Sequence, residues 1–201
     1  SVCYNTDWVY IRSDGMTTDM GQFLNPGSPS AQNYVFSFPR NPSAASSPVT
    51  VPNTFAVGVL INGIPIFGNS DATSWSGQTQ SNSQQGQHIW NVDAWYGEGF
   101  TLDTAFSAHP QQDGAYHSHA TPHRLYDFPS TTHSPIVGFA FDGYPVYGPY
   151  GYSSPTNANS GVTRMRSSWA LRNITVRHTL PDGSVLQPQD YGPNVSNTHP
   201  L

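Results

Sequence analysis

Two stretches of the chain repeat one pattern 80 residues apart, VGVLINGIPIFG at 57–68 and VGFAFDGYPVYG at 137–148. In each stretch an Asn-Gly or Asp-Gly pair separates two apolar runs, which is the strongest short signal for a β-hairpin with a type I′ turn. The predicted strands are 55–61 with 64–68, and 135–141 with 144–148. Two copies are too few for a solenoid. The repeat therefore predicts two equivalent hairpins within one β-fold.

The rest of the chain favours strands over helices. Gly and Pro occur 18 times each and interrupt any long helical period. Short strands separated by turn signals are typical of sandwiches and barrels. We expect an all-β antiparallel sandwich or barrel-like fold, with further strands at 7–12, 33–38, 87–92, 115–119 and 173–179. Long polar loops are expected at 40–52, 69–87 and 153–162, and a short helix at 163–171.

Charge is scarce, and its balance excludes several kinds of partner. Only 9% of the 201 residues are charged, there is no Lys, and Glu98 is the single Glu. The net charge of −5 argues against nucleic acid, because no basic patch could neutralise phosphates. No apolar run is long enough to cross a bilayer. The polar surface must consist mainly of hydroxyl and amide side chains.

Two sequons suggest a glycosylated protein. Asn173 begins Asn-Ile-Thr and Asn194 begins Asn-Val-Ser, the acceptor pattern for N-linked glycan. Together with the Lys-free, hydroxyl-rich surface, they indicate an extracellular or cell-surface location.

The N-terminal segment, residues 1–15, is predicted to be a strand set apart by a turn at Ser13-Asp14-Gly15. Such a strand could be exchanged with a neighbouring copy by strand addition, or could pair within its own chain. The chain would then be a subunit of a homo-oligomer or polymer. The residues expected to mediate assembly are Val2, Cys3, Trp8, Val9 and Ile11. Cys3 is the only cysteine, so an intrachain disulfide cannot form within these residues.

Four of the eight histidines fall in the segment 108–128. His117 and His119 are two residues apart in an extended run, so their side chains share one face. His109 would return to that face across the turn at Asp113-Gly114. Three imidazoles on one face could bind zinc or copper. The alternative is a pair of structural histidines held by hydrogen bonds.

The same segment carries a family resemblance. HPQQDGAYHSHATP followed by PIVGFAFDGYPVYGPYGY resembles the YHYH-domain family of secreted proteins, over roughly 55–170 when the first hairpin is included. Ser118 stands where that family has its second Tyr. The resemblance implies a single β domain of YHYH type over 16–201, and it implies no settled biochemical activity. The matching residues are His109, Tyr116, His117, His119, Pro122, Asp142, Gly143, Pro145, Tyr147, Gly148 and Pro149.

Three classes of function remain open at this point. A metal-dependent enzyme would use the three histidines, but the sequence places no Glu near them and no nucleophile motif is present. A carbohydrate-binding module would need exposed aromatic platforms, and Trp75 is the only aromatic residue in 69–87. A self-associating extracellular structural protein, glycosylated and fibre-forming, fits the sparse charge better. Asp-rich acids also suit calcium, with Asp142 as a ligand beside the histidines and Asp93, Asp103 and Asp113 as further candidates.

Overall fold

The computed structural model describes residues 1–25, 27–47, 49, 51, 55–168, 170 and 172–196. These residues belong to two compact units. The first comprises Ser1–Asn69 with Glu98–Met165, and the second comprises Ser70–Gly97 with Arg166–Leu201. Each unit is formed from segments distant in sequence.

Short strands make up most of the regular structure, as expected for an all-β chain. In chain order they are β1 (Val2–Tyr4), β2 (Trp8–Ser13), β3 (Tyr34–Pro39), β4 (Ala56–Leu60), β5 (Pro65–Phe67), β6 (Ser70–Ser76), β7 (Ser81–Ser83), β8 (Asn91–Asp93), β9 (Ala108–Pro110), β10 (Tyr116–Ser118), β11 (Ile136–Ala140), β12 (Pro145–Tyr147), β13 (Tyr150–Tyr152) and β14 (Val162–Arg164). One α-helix, α1 (Ala94–Glu98), and 3-10 turns at Gly99–Thr101, His123–Leu125 and Pro188–Asp190 complete the described elements.

The first unit contains three sheets. The largest has the strand order β12-β11-β4-β5-β10-β9, beside a sheet β1-β2-β3 and a pair β13-β14. The second unit contains the sheet β7-β6-β8. Within the described residues none of these sheets closes into a barrel, so the fold is sandwich-like.

The two predicted hairpins are equivalent in register as well as in sequence. Both ladders contain an irregularity at the same place, and every paired position in one hairpin has its counterpart 80 residues away in the other. The pairs are Ala56–Phe67, Gly58–Ile66 and Val59–Pro65 in β4–β5, and Ile136–Tyr147, Gly138–Val146 and Phe139–Pro145 in β11–β12. Strands β4 and β11 also pair antiparallel with each other, so the hairpins meet about a local two-fold axis.

The repeated glycines lie where those two hairpins meet. A Cβ on Gly58 would lie 2.6 Å from the carbonyl oxygen of Phe139, and one on Gly138 would lie 2.7 Å from that of Val59. Both distances are too short for a side chain. The repeated Val-Gly dipeptide therefore allows β4 and β11 to approach closely.

The turn type differs from the one predicted. In the first hairpin the Gly63 N–H donates to the carbonyl of Leu60 (2.8 Å), and the Leu60 N–H donates to the carbonyl of Ile64 (2.8 Å). The loop has three residues, 61–63, and only its glycine has a positive φ, of 90°. This is a type I turn followed by a glycine bulge, rather than a type I′ turn. The second hairpin repeats it, with Gly143 at φ 91°.

The six-stranded sheet packs on both faces. On one face, Val59 of β4 lies in a cluster with Phe36 and Phe38 of β3. On the other face, the adjacent Leu60 packs with Phe106 and Tyr116. Since successive strand residues point to opposite faces, this alternation places the core on both sides of β4.

The N-terminal segment folds as an antiparallel pair, β1 and β2, and β2 pairs along its whole length with β3. Val9 and Ile11 pack against the cluster around Phe36. By contrast, Val2 and Cys3 are exposed on the edge strand β1. The single chain thus has the intrachain pairing, and exchange with a neighbour stays a prediction.

The prediction of a polar loop over 69–87 is wrong. The segment contains β6 and β7, and Trp75 is only 8% exposed, so it cannot serve as an exposed sugar platform. The Ser- and Thr-rich pattern concealed these strands because their side chains lack apolar alternation. The predicted strand 173–179 is also wrong, since it forms only an isolated bridge between Thr179 and Val185.

The helix predicted at 163–171 is not found among its described residues, and the helix that does form, α1, was not predicted. The segment 163–168 is extended or irregular, and residues 169 and 171 of the predicted helix lie outside the described part of the chain. The observed helix α1 has five residues, too few for a periodic signal. Among the described residues, no helix is both long and apolar enough to cross a membrane.

Candidate metal centre

Strands β9 and β10 bring three histidines together. His109 and His117 are direct cross-strand partners, and His119 follows immediately after β10. The N–H of His119 donates to the carbonyl of Ser107 (3.0 Å), which continues the ladder by one step. The alternation of strand side chains then places His117 and His119 on one face of the sheet. His109 lies on the same face, directly across from His117 on the neighbouring strand. The predicted arrangement of these three residues is confirmed.

The histidine cluster, as we call His109, His117 and His119, is compact enough to hold one metal ion. One ring nitrogen of each residue lies within 4.8 Å of the other two. The Nε2 atoms of His117 and His119 are 2.9 Å apart. Ligand nitrogens about 2.0–2.1 Å from a tetrahedral zinc lie roughly 3.3 Å from each other, so small shifts would accommodate an ion.

Backbone carbonyls determine which nitrogens face inward. The Nδ1 of His117 lies 2.9 Å from the carbonyl oxygen of Ala115, and the Nδ1 of His119 lies 3.1 Å from that of Gly68. A carbonyl can only accept, so each Nδ1 carries the proton. In the neutral rings both Nε2 atoms are therefore unprotonated and direct their lone pairs toward each other.

His109 is oriented by a hydrogen bond to Thr101, which is itself bonded to the main chain of Glu98. The hydroxyl of Thr101 donates to the carbonyl of Glu98 (2.7 Å) and lies 2.8 Å from Nδ1 of His109. Because its single proton is already donated, the Thr101 oxygen accepts the Nδ1–H, and Nε2 of His109 faces the cluster. The side-chain nitrogen of Asn25, which can only donate, lies 3.2 Å from the same Nδ1 and would bond to it in the other tautomer of His109.

A glutamate also lies at the cluster, contrary to the sequence-based expectation. The carboxylate of Glu98 approaches Nε2 of His119 at 3.2 Å and Nε2 of His109 at 3.6 Å. Sequence proximity could not reveal this contact, because Glu98 ends α1 and precedes His109 by a turn and a loop. The only available signal was that it is the single Glu in the chain.

The cluster is dry. His109 and His117 are buried, and Phe67 stacks on the His117 ring with centroids 4.0 Å apart. Burial, together with the neighbouring His119 and His109, lowers the pKa of His117 to about 3 despite the opposing bond to Ala115. His117 is therefore neutral near pH 7, the form in which imidazole binds metals.

The opposite face of β10 anchors the strand. Tyr116 is fully buried, and its hydroxyl donates to the side chain of Asp103. The other Asp103 oxygen accepts the N–H groups of Ala105 (2.8 Å) and Phe106 (2.7 Å). Burial and the bond to Asp103 raise the pKa of Tyr116. Asp103, suggested by the sequence as a calcium ligand, instead has a structural role, because it accepts hydrogen bonds from three residues.

Ser118 replaces the second motif tyrosine without losing the anchor. Its hydroxyl lies 2.7 Å from the carbonyl oxygen of Phe106 and 3.0 Å from that of Ala120, and the residue is buried. Ser118 and Tyr116 point to the face away from the histidines, as their spacing requires. The substitution therefore alters packing behind the cluster rather than the set of metal-binding nitrogens.

The other predicted site residues lie elsewhere. Asp142 caps its own hairpin turn by accepting the Tyr144 N–H (3.3 Å), and it is not part of the histidine cluster. Asp113 does the same for Ala115 (3.0 Å). Within the described residues the three histidines are the one group that could share an ion. Asn173 and Asn194 are both exposed.

A model of the family described as YHYH protein matches residues 35–197. The chain belongs to the YHYH family. The match includes both hairpins, the β9–β10 hairpin and the segments that support them. No curated protein and no solved structure matches the chain. In this YHYH protein the four residues of the motif 116–119 have two roles. Tyr116 and Ser118 anchor β10, whereas His117 and His119 belong to the histidine cluster together with His109.

Proposed function

We propose that this YHYH protein is an extracellular metal-binding domain, in which His109, His117 and His119 hold a single zinc or copper ion. The ion would tie β9 to β10 and to the end of the first hairpin.

The facing lone pairs of His117 and His119 carry this proposal. Two neutral imidazoles whose Nδ1 atoms donate to carbonyls present Nε2 lone pairs 2.9 Å apart, which is repulsive unless a cation lies between them. A single proton could bridge only one pair of these nitrogens, with the Glu98 carboxylate 3.2 Å from Nε2 of His119. A metal ion relieves the repulsion and uses all three inward nitrogens.

The donor set favours zinc or copper over calcium. Imidazole nitrogens suit zinc and copper, whereas calcium takes six to eight oxygen ligands. Calcium was suggested by the excess of Asp over Glu, but Asp103, Asp113 and Asp142 already accept backbone N–H groups. We therefore propose zinc or copper at the histidine cluster.

Equilibrium dialysis against zinc, followed by elemental analysis, tests the proposal. We expect about one zinc per chain for the native protein and a loss of affinity of at least about 100-fold for His119→Ala, since a ligand contributes more than the 10–100-fold of an outer-sphere partner. His133→Ala is the matched control, because His133 lies outside the cluster and contacts Tyr147 and Tyr152. Equal zinc content in both variants would contradict the proposal.

Self-association is a second proposed property, favoured by the edge strand β1. Among the residues that the structure describes, β1 pairs only with β2, and it exposes Val2 (66%) and Tyr4 (70%). A regular strand with an open edge and apolar side chains is a template for pairing with another copy. An exposed Cys3 in the same strand and glycans on Asn173 and Asn194 would suit an extracellular structural polymer.

Sedimentation of the Val2→Lys/Tyr4→Lys double variant tests this second property. Lysine on an edge strand opposes edge-to-edge pairing. We expect the native chain to form multimers as concentration rises under reducing conditions, and the double variant to stay monomeric. Val185→Lys, at an exposed apolar residue elsewhere, should behave as the native chain. A native chain that stays monomeric at every concentration would rule the polymer out.

A further inference from the structure

We propose that Glu98 is the fourth, exchangeable ligand of the metal, and that an incoming ligand bearing a carboxylate takes its place. This inference rests on the metal-binding function proposed for the histidine cluster. It adds the one residue that decides whether the ion is enclosed by protein or open to another molecule.

The distances place the Glu98 carboxylate beside two of the three histidines. Its two oxygens lie 3.2 Å from Nε2 of His119 and 3.6 Å from Nε2 of His109. Ligand atoms around a tetrahedral zinc are separated by roughly 3.3 Å, given metal–ligand distances of about 2.0–2.2 Å. Glu98 therefore lies beside two of the three inward nitrogens, and rotation of its side chain would bring an oxygen to the fourth position of an ion held by the histidines.

Burial distinguishes Glu98 from the histidines. The side chains of His109 and His119 are 3% and 4% exposed, whereas that of Glu98 is 25% exposed. The histidine rings are fixed by packing and by bonds to carbonyls or to Thr101. Glu98, which lies beside the histidine cluster, reaches solvent, and it is therefore the ligand that an outside molecule can replace.

The main chain of Glu98 is fixed even though its side chain reaches solvent. Its carbonyl accepts the Thr101 hydroxyl, and the same hydroxyl oxygen accepts from His109. This link holds the Glu98 backbone in register with a metal ligand. Exchange would then require only rotation of the side chain, with no rearrangement of the three histidines.

Charge identifies the class of incoming ligand. Three neutral imidazoles and a divalent ion carry a net charge of +2, and one carboxylate reduces it to +1. A molecule that displaces Glu98 must replace that negative charge in a poorly hydrated site, because an uncompensated buried charge is costly. Carboxylate ligands meet this requirement with the same donor atom.

Cobalt substitution with acetate as the probe tests the inference on the full chain. Four-coordinate Co²⁺ absorbs visible light much more strongly than Co²⁺ to which water has been added. We expect Glu98→Gln to bind Co²⁺ at least about 10-fold more weakly, since a ligand contributes at least as much as an outer-shell partner, and to show a weaker absorption band, which acetate restores. Acetate should bind this variant at least about 10-fold more tightly than the native protein, where Glu98 competes for the position.

The matched control is Asp127→Asn, which removes one charge from an exposed carboxylate outside the cluster. It should match the native protein in Co²⁺ affinity, spectrum and acetate response. Equal Co²⁺ affinity and equal acetate affinity in the native protein and Glu98→Gln would overturn the role of Glu98 while leaving the three-histidine site intact. Failure of the native protein to bind Co²⁺ would instead overturn the proposed metal site, and this inference with it.

Discussion

Replacing Asp103 with Ala is expected to lower the free energy of unfolding by about 3–5 kcal/mol, because each buried donor left without an acceptor costs about 1–3 kcal/mol. The side chain of Asp103 accepts from Tyr116 and from the backbone N–H groups of Ala105 and Phe106, and the residue is buried. Alanine would leave three donors without an acceptor in the core. Urea unfolding followed by tryptophan fluorescence measures the effect.

Two further variants show which contact matters. Tyr116→Phe removes one donor and leaves the two N–H bonds to Asp103, so a smaller loss of about 1–3 kcal/mol is expected. Asp127→Ala, at an exposed carboxylate, should change stability by less than about 0.5 kcal/mol. An Asp103→Ala protein that unfolds at the native midpoint would show that the hydrogen bonds to Asp103 contribute nothing to the fold.

Zinc should stabilise the native protein by about 2.7 kcal/mol at 100 times its dissociation constant and by about 4.1 kcal/mol at 1,000 times. The reason is mass action, since the three nitrogens are brought together only in the folded state. Thermal unfolding with and without zinc measures the shift, and a chelator should reverse it.

The zinc effect should disappear in His117→Ala. The centroid of the His117 ring lies 4.9 Å from that of His109 and 4.7 Å from that of His119. His178→Ala is the control because His178 stacks on Tyr191, outside the cluster. Equal stabilisation of the native protein and His117→Ala would mean that zinc binds at another place.

Sequence patterns predicted the parts of the fold that depend on local spacing. The repeated Asn-Gly and Asp-Gly phrases located both hairpins, because turn residues and flanking apolar runs act over a few positions. The His-x-His spacing placed His117 and His119 on one face, because side chains in a strand alternate. The turn at Asp113-Gly114 predicted that His109 would lie on the same face, because it brings the two flanking segments side by side.

Other features depend on contacts between distant segments. Glu98 and Gly68 reach the histidine cluster from outside the β9–β10 hairpin, and no local pattern marks either residue as a partner. Strand β6 has too few apolar residues for alternation to be visible, although it places Trp75 in the interior. The turn type also escaped prediction, because Asn-Gly suits both a two-residue loop and a three-residue loop with a glycine bulge.

X-ray absorption at the zinc edge of the zinc-loaded protein tests the central claim most directly. The account predicts a first shell of light atoms at about 2.0–2.1 Å from the metal, with the outer-shell scattering of three imidazole rings. The same measurement on His117→Ala should show loss of the bound metal or of one imidazole. A shell of oxygen atoms without imidazole scattering would contradict the assignment of His109, His117 and His119 as the metal ligands.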